Sequence, residues 1–164
     1  NKLDYKILNN ITWQKTNPPP NLSCRMFTHS TETIIWAKKS DKAKHYFNYQ
    51  LMKEMNDGKQ MKDVWMHSTA KQSEKKHGKY PTQKPVELME KIILASTKEE
   101  DVILDCFSGG GTTLLAAQKL NRRSIGIELE SQYIEISINR LKEEMELPEQ
   151  VSLFNEKDQK KNKE

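Results

Sequence analysis

The sequence predicts an α/β fold with parallel strands, and three stretches predict it. DVILD, residues 101–105, is a short apolar run ending in an acid, the pattern of a strand buried in a parallel sheet. FSGGGTT, residues 107–113, follows as a glycine-rich turn and runs into the helical stretch TTLLAAQKL. RSIGIELE, residues 123–130, reads as a second strand ending in acids. Residues 102–128 therefore form one strand–loop–helix–strand unit.

The other elements follow in chain order. YKILNNITWQK and TETIIWAKK are rich in β-branched and aromatic residues and read as strands. Between them, TNPPPNLSCRMFTHS holds three consecutive prolines, which exclude a helix and a central strand. The unit is expected to be an antiparallel pair joined by a long, stiff loop, with Trp13 and Trp36 on one face. Residues 40–79 are the least regular, mixing lysines with Tyr46, Phe47, Tyr49 and Trp65, and Asp57-Gly58 marks a turn. Basic residues among aromatics suit nucleic-acid contact, and equally an ordinary polar insertion with anchoring aromatics. Pro85 suits a helix start, and VELMEKIILAST then sets Leu88, Met89, Ile92 and Ile93 on one face. SQYIEISINRLKEEME reads as a closing helix with Tyr133, Ile134, Ile138 and Leu141 on one side. The chain divides into a strand–loop–strand part (1–39), an irregular basic segment (40–79), a ligand-binding region (80–148) and a tail expected to be disordered (149–164).

A chain of 164 residues suits one domain with a real core. Its net charge of +4 hides an asymmetry: residues 1–85 hold 16 Lys/Arg and 7 Asp/Glu, the rest 11 and 16. A basic half beside an acidic half suggests a polyanion-facing part and a separate working part. No apolar run approaches a membrane span, and no secretory pattern opens the chain. The first residue is Asn1 rather than Met, so the natural start is expected upstream. Cys24 and Cys106 make no CxxC pair, and His29, His45, His67 and His77 have no metal-ligand spacing. No metal is expected, and a reducing, cytoplasmic setting is.

The chemistry lies in residues 102–128. Asp105 ends the first strand; Gly109, Gly110 and Gly111 let the backbone turn tightly against a ligand. Glu128 ends the second strand 17 residues after Gly111, where an acid can accept both ribose hydroxyls of a nucleoside cofactor. This is Rossmann-like logic. NAD is one candidate, although the spacing departs from GxGxxG; S-adenosylmethionine (SAM) is another, and Asp105 suits its cationic end better than a pyrophosphate. A structural unit without ligand is the third possibility.

The motifs carry a more specific resemblance. DCFSGGGTT resembles motif I of SAM-dependent DNA amino-methyltransferases, with Cys106 and Gly110 at its usual Pro and Ser positions. YPTQKP, residues 80–85, resembles their motif X, with Tyr80 for the usual His, and IGIELE resembles motif II. Motif X directly before motif I marks the beta class. ITWQKTNPPPNLSCRMFTHSTETIIWAKK and LMKEMNDGKQMKDVW are similar to the second, beta-class adenine methyltransferases of Dpn-type GATC restriction–modification systems. The resemblance implies methyl transfer from SAM to adenine N6 in DNA within GATC, in a bacterial cytoplasm. It implies that Thr82, Lys84, Asp105, Phe107, Ser108, Gly109, Gly111, Thr112 and Glu128 bind the cofactor. It places Asn17, Pro20 and Arg25 near DNA, with Lys59 and Lys62 in a target-recognition segment. Cytosine N4 methylation shares these motifs, and a non-catalytic SAM- or DNA-binding remnant is the other alternative.

In this family the catalytic Asp-Pro-Pro-Tyr follows an apolar strand. Here TNPPPN follows the polar WQKT and has Pro20 where the stacking aromatic would stand. It is therefore expected to be a rigid loop, with no catalytic residue in the chain and the catalytic motif upstream of Asn1. The fold is then an incomplete Rossmann-like methyltransferase, lacking N-terminal strands that a partner polypeptide or upstream segment supplies. Without them Val102, Ile103 and Leu104 are expected to form an exposed apolar edge, and the isolated chain to be unstable and inactive.

Overall fold

The structure, a computed structural model, describes residues 4–145; the expected tail at 149–164 lies outside them. Strands β1 (Lys6–Lys15) and β2 (Thr31–Lys38) come first, then helix α1 (Tyr49–Glu54) and strand β3 (Val64–His67). Helix α2 (Val86–Ser96), strand β4 (Val102–Asp105), helix α3 (Thr112–Lys119), strand β5 (Arg123–Gly126) and helix α4 (Ser131–Met145) follow. The strands form two sheets, β2-β1-β3 and β4-β5, which share no edge.

β1 and β2 are antiparallel, as their sequences predict, with Asn9 opposite Trp36, Ile11 opposite Ile34 and Trp13 opposite Glu32. Side chains alternate across a strand, so Ile11, Trp13, Ile34 and Trp36 share one face. That face packs on Trp65 and Leu88. β3 was not legible in advance. VWMH is too short for its alternation to register, with Trp65 buried and His67 on the same face. It pairs parallel to β1, with Trp13 opposite Trp65 and Lys15 opposite His67. Residues 40–79 thus serve partly as scaffold: Trp65 and Met52 are buried. The Asn48 side chain caps α1 by accepting the Leu51 N–H at 3.3 Å.

α2 joins the two sheets. Leu88 and Ile92, one turn apart, pack against Ile11, Trp13 and Trp65. Val86, Met89 and Ile93, on the adjacent stripe, pack against Leu115, Ala116 and Ala117 of α3. The single apolar face expected from Leu88, Met89, Ile92 and Ile93 divides between two cores, because a helix buried on both flanks needs a wide apolar stripe.

β4 shows the exposure expected at Val102 and Leu104 but not at Ile103. It is parallel to β5, and Val102 and Leu104 are 52% and 58% exposed. Ile103 alone packs into the α2–α3 core. Leu104 pairs with Ile125, itself 54% exposed, so one face of this sheet is covered and the other carries apolar side chains to solvent. An apolar run reports that a strand can be buried on both sides; only the surrounding elements decide whether it is. β5 also ends at Gly126, two residues short of Glu128.

Candidate cofactor site

The loop after β4 is held from every side. Asp105 Oδ1 accepts the Phe107 N–H at 3.0 Å, and the Ser108 N–H donates to the Ile127 carbonyl at 3.0 Å. Gly109 and Gly111 adopt φ of +52° and +73°, the left-handed region. A Cβ on Gly109 would stand 2.7 Å from the Tyr80 ring, and one on Gly111 2.0 Å from Ser137 Oγ. Both positions therefore demand glycine twice, by conformation and by space. At Gly126 a Cβ would meet the tip of Leu114 at 2.6 Å and Ser108 Cβ at 3.0 Å, so a side chain there requires those two to shift.

Glu128 closes the loop from the β5 side. Its carboxylate accepts the N–H groups of Gly109 at 2.8 Å, Leu129 at 2.9 Å and Glu130 at 3.1 Å. These bonds, the one from Glu130 foremost, hold its pKa below the ordinary carboxylate value against the opposing effect of burial. Glu128 is therefore an ionised acceptor at neutral pH.

Two residues outside the expected cofactor set complete the frame, Tyr80 of the YPTQKP stretch and Arg140, which the sequence did not single out. Arg140 of α4 is 4% exposed and donates to the Gly110 carbonyl and, at 3.0 Å, to Thr112 Oγ1. Tyr80 packs under the glycines and meets Tyr133 edge-on, with ring centroids 4.7 Å apart. An arginine within the apolar flank of ISINRL was the one available signal for Arg140.

A cavity of about 210 Å³ opens beside this loop. Thr82, Lys84, Asp105, Phe107, Ser108 and Thr112 line it. Six of the nine residues expected to bind cofactor, from two separate stretches, thus surround one space. The other three, Gly109, Gly111 and Glu128, form the loop's turn and its anchor. Asp105 and Glu128 are acceptors for hydroxyl or cationic groups, and Lys84 is a donor for an anionic one. This donor set fits an amino-acid-bearing nucleoside such as SAM.

The loop from residue 16 to 30 leaves the end of β1 that carries Lys15. Asn17 Oδ1 accepts the Thr69 N–H at 2.8 Å and ties the loop to the segment after β3. Asn21 Oδ1 accepts the Ser23 N–H at 3.0 Å in a local turn. Pro20 and Arg25 are exposed, as are Leu22 at 92%, Met26 at 71% and Phe27 at 100%. Lys59 and Lys62 precede β3, whose first residue Val64 lies opposite Thr12. β3 runs parallel to β1 and leads from these lysines toward the Lys15 end, where the loop bearing Asn17, Pro20 and Arg25 begins. Among the described residues no three His, Cys, Asp or Glu gather to hold a metal, and no helix is long and apolar enough to cross a membrane. Cys24 and Cys106 are free and exposed.

A family model described as DNA methylase matches residues 1–139. The chain belongs to the DNA methylase family. Within this family it is 66% identical over 143 residues to the type II methyltransferase M2.DpnII of Streptococcus pneumoniae, covering 87% of this chain and 53% of that protein. It is 55% identical over 140 residues to M2.MboI of Moraxella bovis, covering 85% and 51%. The chain thus spans about half the length of the curated relatives it matches. Among solved structures, the M1.HpyAVI–SAM complex superposes with a TM-score of 0.69 at 38% identity, over 84% of this chain and 63% of that one. The cytosine-N4-specific PvuII DNA methyltransferase shares the fold, with a TM-score of 0.70 at 20% identity over 90% and 54%. The DNA methylase fold therefore accounts for the α/β arrangement, with the cavity at the end of β4.

Proposed function

We propose that this chain is the cofactor-binding part of a DNA methyltransferase that moves a methyl group from SAM to adenine N6, within GATC, in a restriction–modification system. The observation that carries the reading is the single cavity lined jointly by Thr82 and Lys84 and by Asp105, Phe107, Ser108 and Thr112. SAM supplies an electrophilic methyl on its sulfonium. In this reading Glu128 takes the ribose hydroxyls, and Asp105 stands by the cationic end. Lys84 and Thr82 take the carboxylate, and Phe107, 89% exposed, covers the nucleoside. Asn17, Pro20 and Arg25 present a stiff loop to DNA. The target amino group is occluded in a duplex, so the base must leave the stack.

The 164 residues contain no Asp-Pro-Pro-aromatic stretch. We therefore assign methyl transfer to this chain only together with the sequence that supplies one. The two sheets without a shared edge, and the exposed Val102, Leu104 and Ile125, support further strands and a covering layer from that same source.

Titration with S-adenosylhomocysteine and with NAD tests the cofactor. The former should bind and the latter should not; Asp105→Ala and Glu128→Ala should each weaken binding about tenfold or more. Unchanged affinity in both variants would sink the site assignment. Incubating the full-length protein with radiolabelled SAM and DNA, followed by nucleoside analysis, reads methyladenine against methylcytosine directly. Omitting the segment that carries the catalytic motif should abolish the signal.

A further inference from the structure

Glu32 belongs to no motif, yet it touches the cofactor cavity through Lys84. It lies on β2 opposite Trp13, facing the core side of the sheet. Its Oε2 accepts from Lys84 Nζ at 2.9 Å, and its Oε1 pairs with Lys15 Nζ at 2.9 Å. Both ammonium groups flank the Trp13 ring, at 5.9 Å and 5.5 Å from its centroid. Trp13 is 2% exposed and is fixed by its indole N–H, which donates to the His67 carbonyl at 3.0 Å. The Lys15 side chain is 12% exposed against 41% for Lys84, so Lys15 is a packed charge behind the one that reaches the cavity.

We propose that Glu32 is a positioning residue for the cofactor, holding the Lys84 ammonium toward the cavity, with Lys15 as its compensating charge. The proposal rests on the reading of the cavity as a SAM site. A free lysine has a long stem with many rotamers, and ordering it on binding costs affinity. Glu32 and Trp13 order it beforehand. One carboxylate between two ammoniums leaves the cluster with one net positive charge. Glu32 can therefore fix Lys84 without cancelling its attraction for the ligand carboxylate; with Lys15 absent, it would cancel it. Burial pushes the Glu32 carboxyl up, but hydrogen bonds and charge from Lys84 and Lys15 outweigh this and keep it below its ordinary range. The cluster is thus charged at neutral pH. Lys15 is also the last residue of β1, so the foot of the proline loop and the cavity share this carboxylate.

The test compares two ligands on the full-length protein by calorimetry. S-adenosylhomocysteine carries the amino-acid carboxylate; methylthioadenosine keeps the nucleoside and thioether but lacks it. Glu32→Gln should weaken S-adenosylhomocysteine about tenfold, the scale of one charge-assisted hydrogen bond, and leave methylthioadenosine unchanged. Lys15→Met should weaken S-adenosylhomocysteine alone in the same way, and carries the test should Glu32→Gln not fold. In a Lys84→Met background Glu32→Gln should add nothing. If Glu128→Ala weakens both ligands while Glu32→Gln and Lys15→Met affect both equally or neither, the positioning role is overturned and the site reading stands. If the wild-type protein binds neither ligand, both fall together.

Discussion

Two loops leave strand ends, one from each sheet, and they are built in opposite ways. The glycine loop, 106–111, is fixed from outside: Tyr80 lies under Gly109, Ser137 against Gly111, Arg140 on the Gly110 carbonyl and Glu128 on the Gly109 N–H. The proline loop, 16–30, takes its stiffness from Pro18, Pro19 and Pro20, and the rest of the chain holds it lightly. Asn17 ties one end to Thr69, while Leu22, Met26 and Phe27 stand in solvent. The first loop is preorganised for a small ligand, whose affinity suffers from any residual freedom. The second presents a stiff but unpacked surface, as suits a partner large enough to cover it.

The largest effect that would break this comparison is at Gly111. Gly111→Ala sets a Cβ into Ser137 and forces a left-handed φ on alanine. The cost should be about 3 kcal/mol, with loss of S-adenosylhomocysteine binding. Chemical denaturation and titration read both, and a normal melt with intact binding would show that the loop is not held as described.

Arg140→Met comes next. It leaves the Gly110 carbonyl and Thr112 hydroxyl short of a buried donor, for a loss of about 2 kcal/mol. Arg140→Lys should recover part of this. Cofactor affinity should fall in Arg140→Met while DNA affinity holds; equal loss of both would remove the distinction between the two loops.

On the other side, Arg25→Ala should leave the melting temperature unchanged and weaken DNA binding about fivefold at moderate salt, with a shallower salt dependence. Binding measured across a salt series decides this. A change in stability instead would place Arg25 in the scaffold.

The smallest effect concerns His67, whose carbonyl receives the Thr16 N–H and the Trp13 indole at the foot of the proline loop. Burial first, and the charge of Lys91 second, lower its pKa below the ordinary 6.5, against the pull of Glu87. The unfolded chain then takes up a proton that the folded chain resists, so stability should fall as pH drops below about 6.5. His67→Gln should flatten that slope in melts between pH 7 and 5.5, and an unchanged slope would assign it to other groups.

The amino-acid sequence alone determined what is local. β-Branched and aromatic residues announced β1 and β2, three prolines announced the stiff loop, and YPTQKP and DCFSGGGTT carried the resemblance to DNA amino-methyltransferases. The glycines at 109 and 111 were legible because a turn of that tightness admits no other residue. Tertiary structure alone decided what depends on neighbours distant in the chain. β3 is a strand because β1 offers it an edge, which a run of four residues is too short to declare. Ile103, expected to be exposed with Val102 and Leu104, is instead covered by the core of α2 and α3, while among the described residues no element covers the other face. Arg140 reaches the glycine loop from 30 residues away, and Glu32 reaches Lys84 from 52. Side-chain contacts at that separation leave no period or spacing in the sequence, because the fold, not the chain, brings them together.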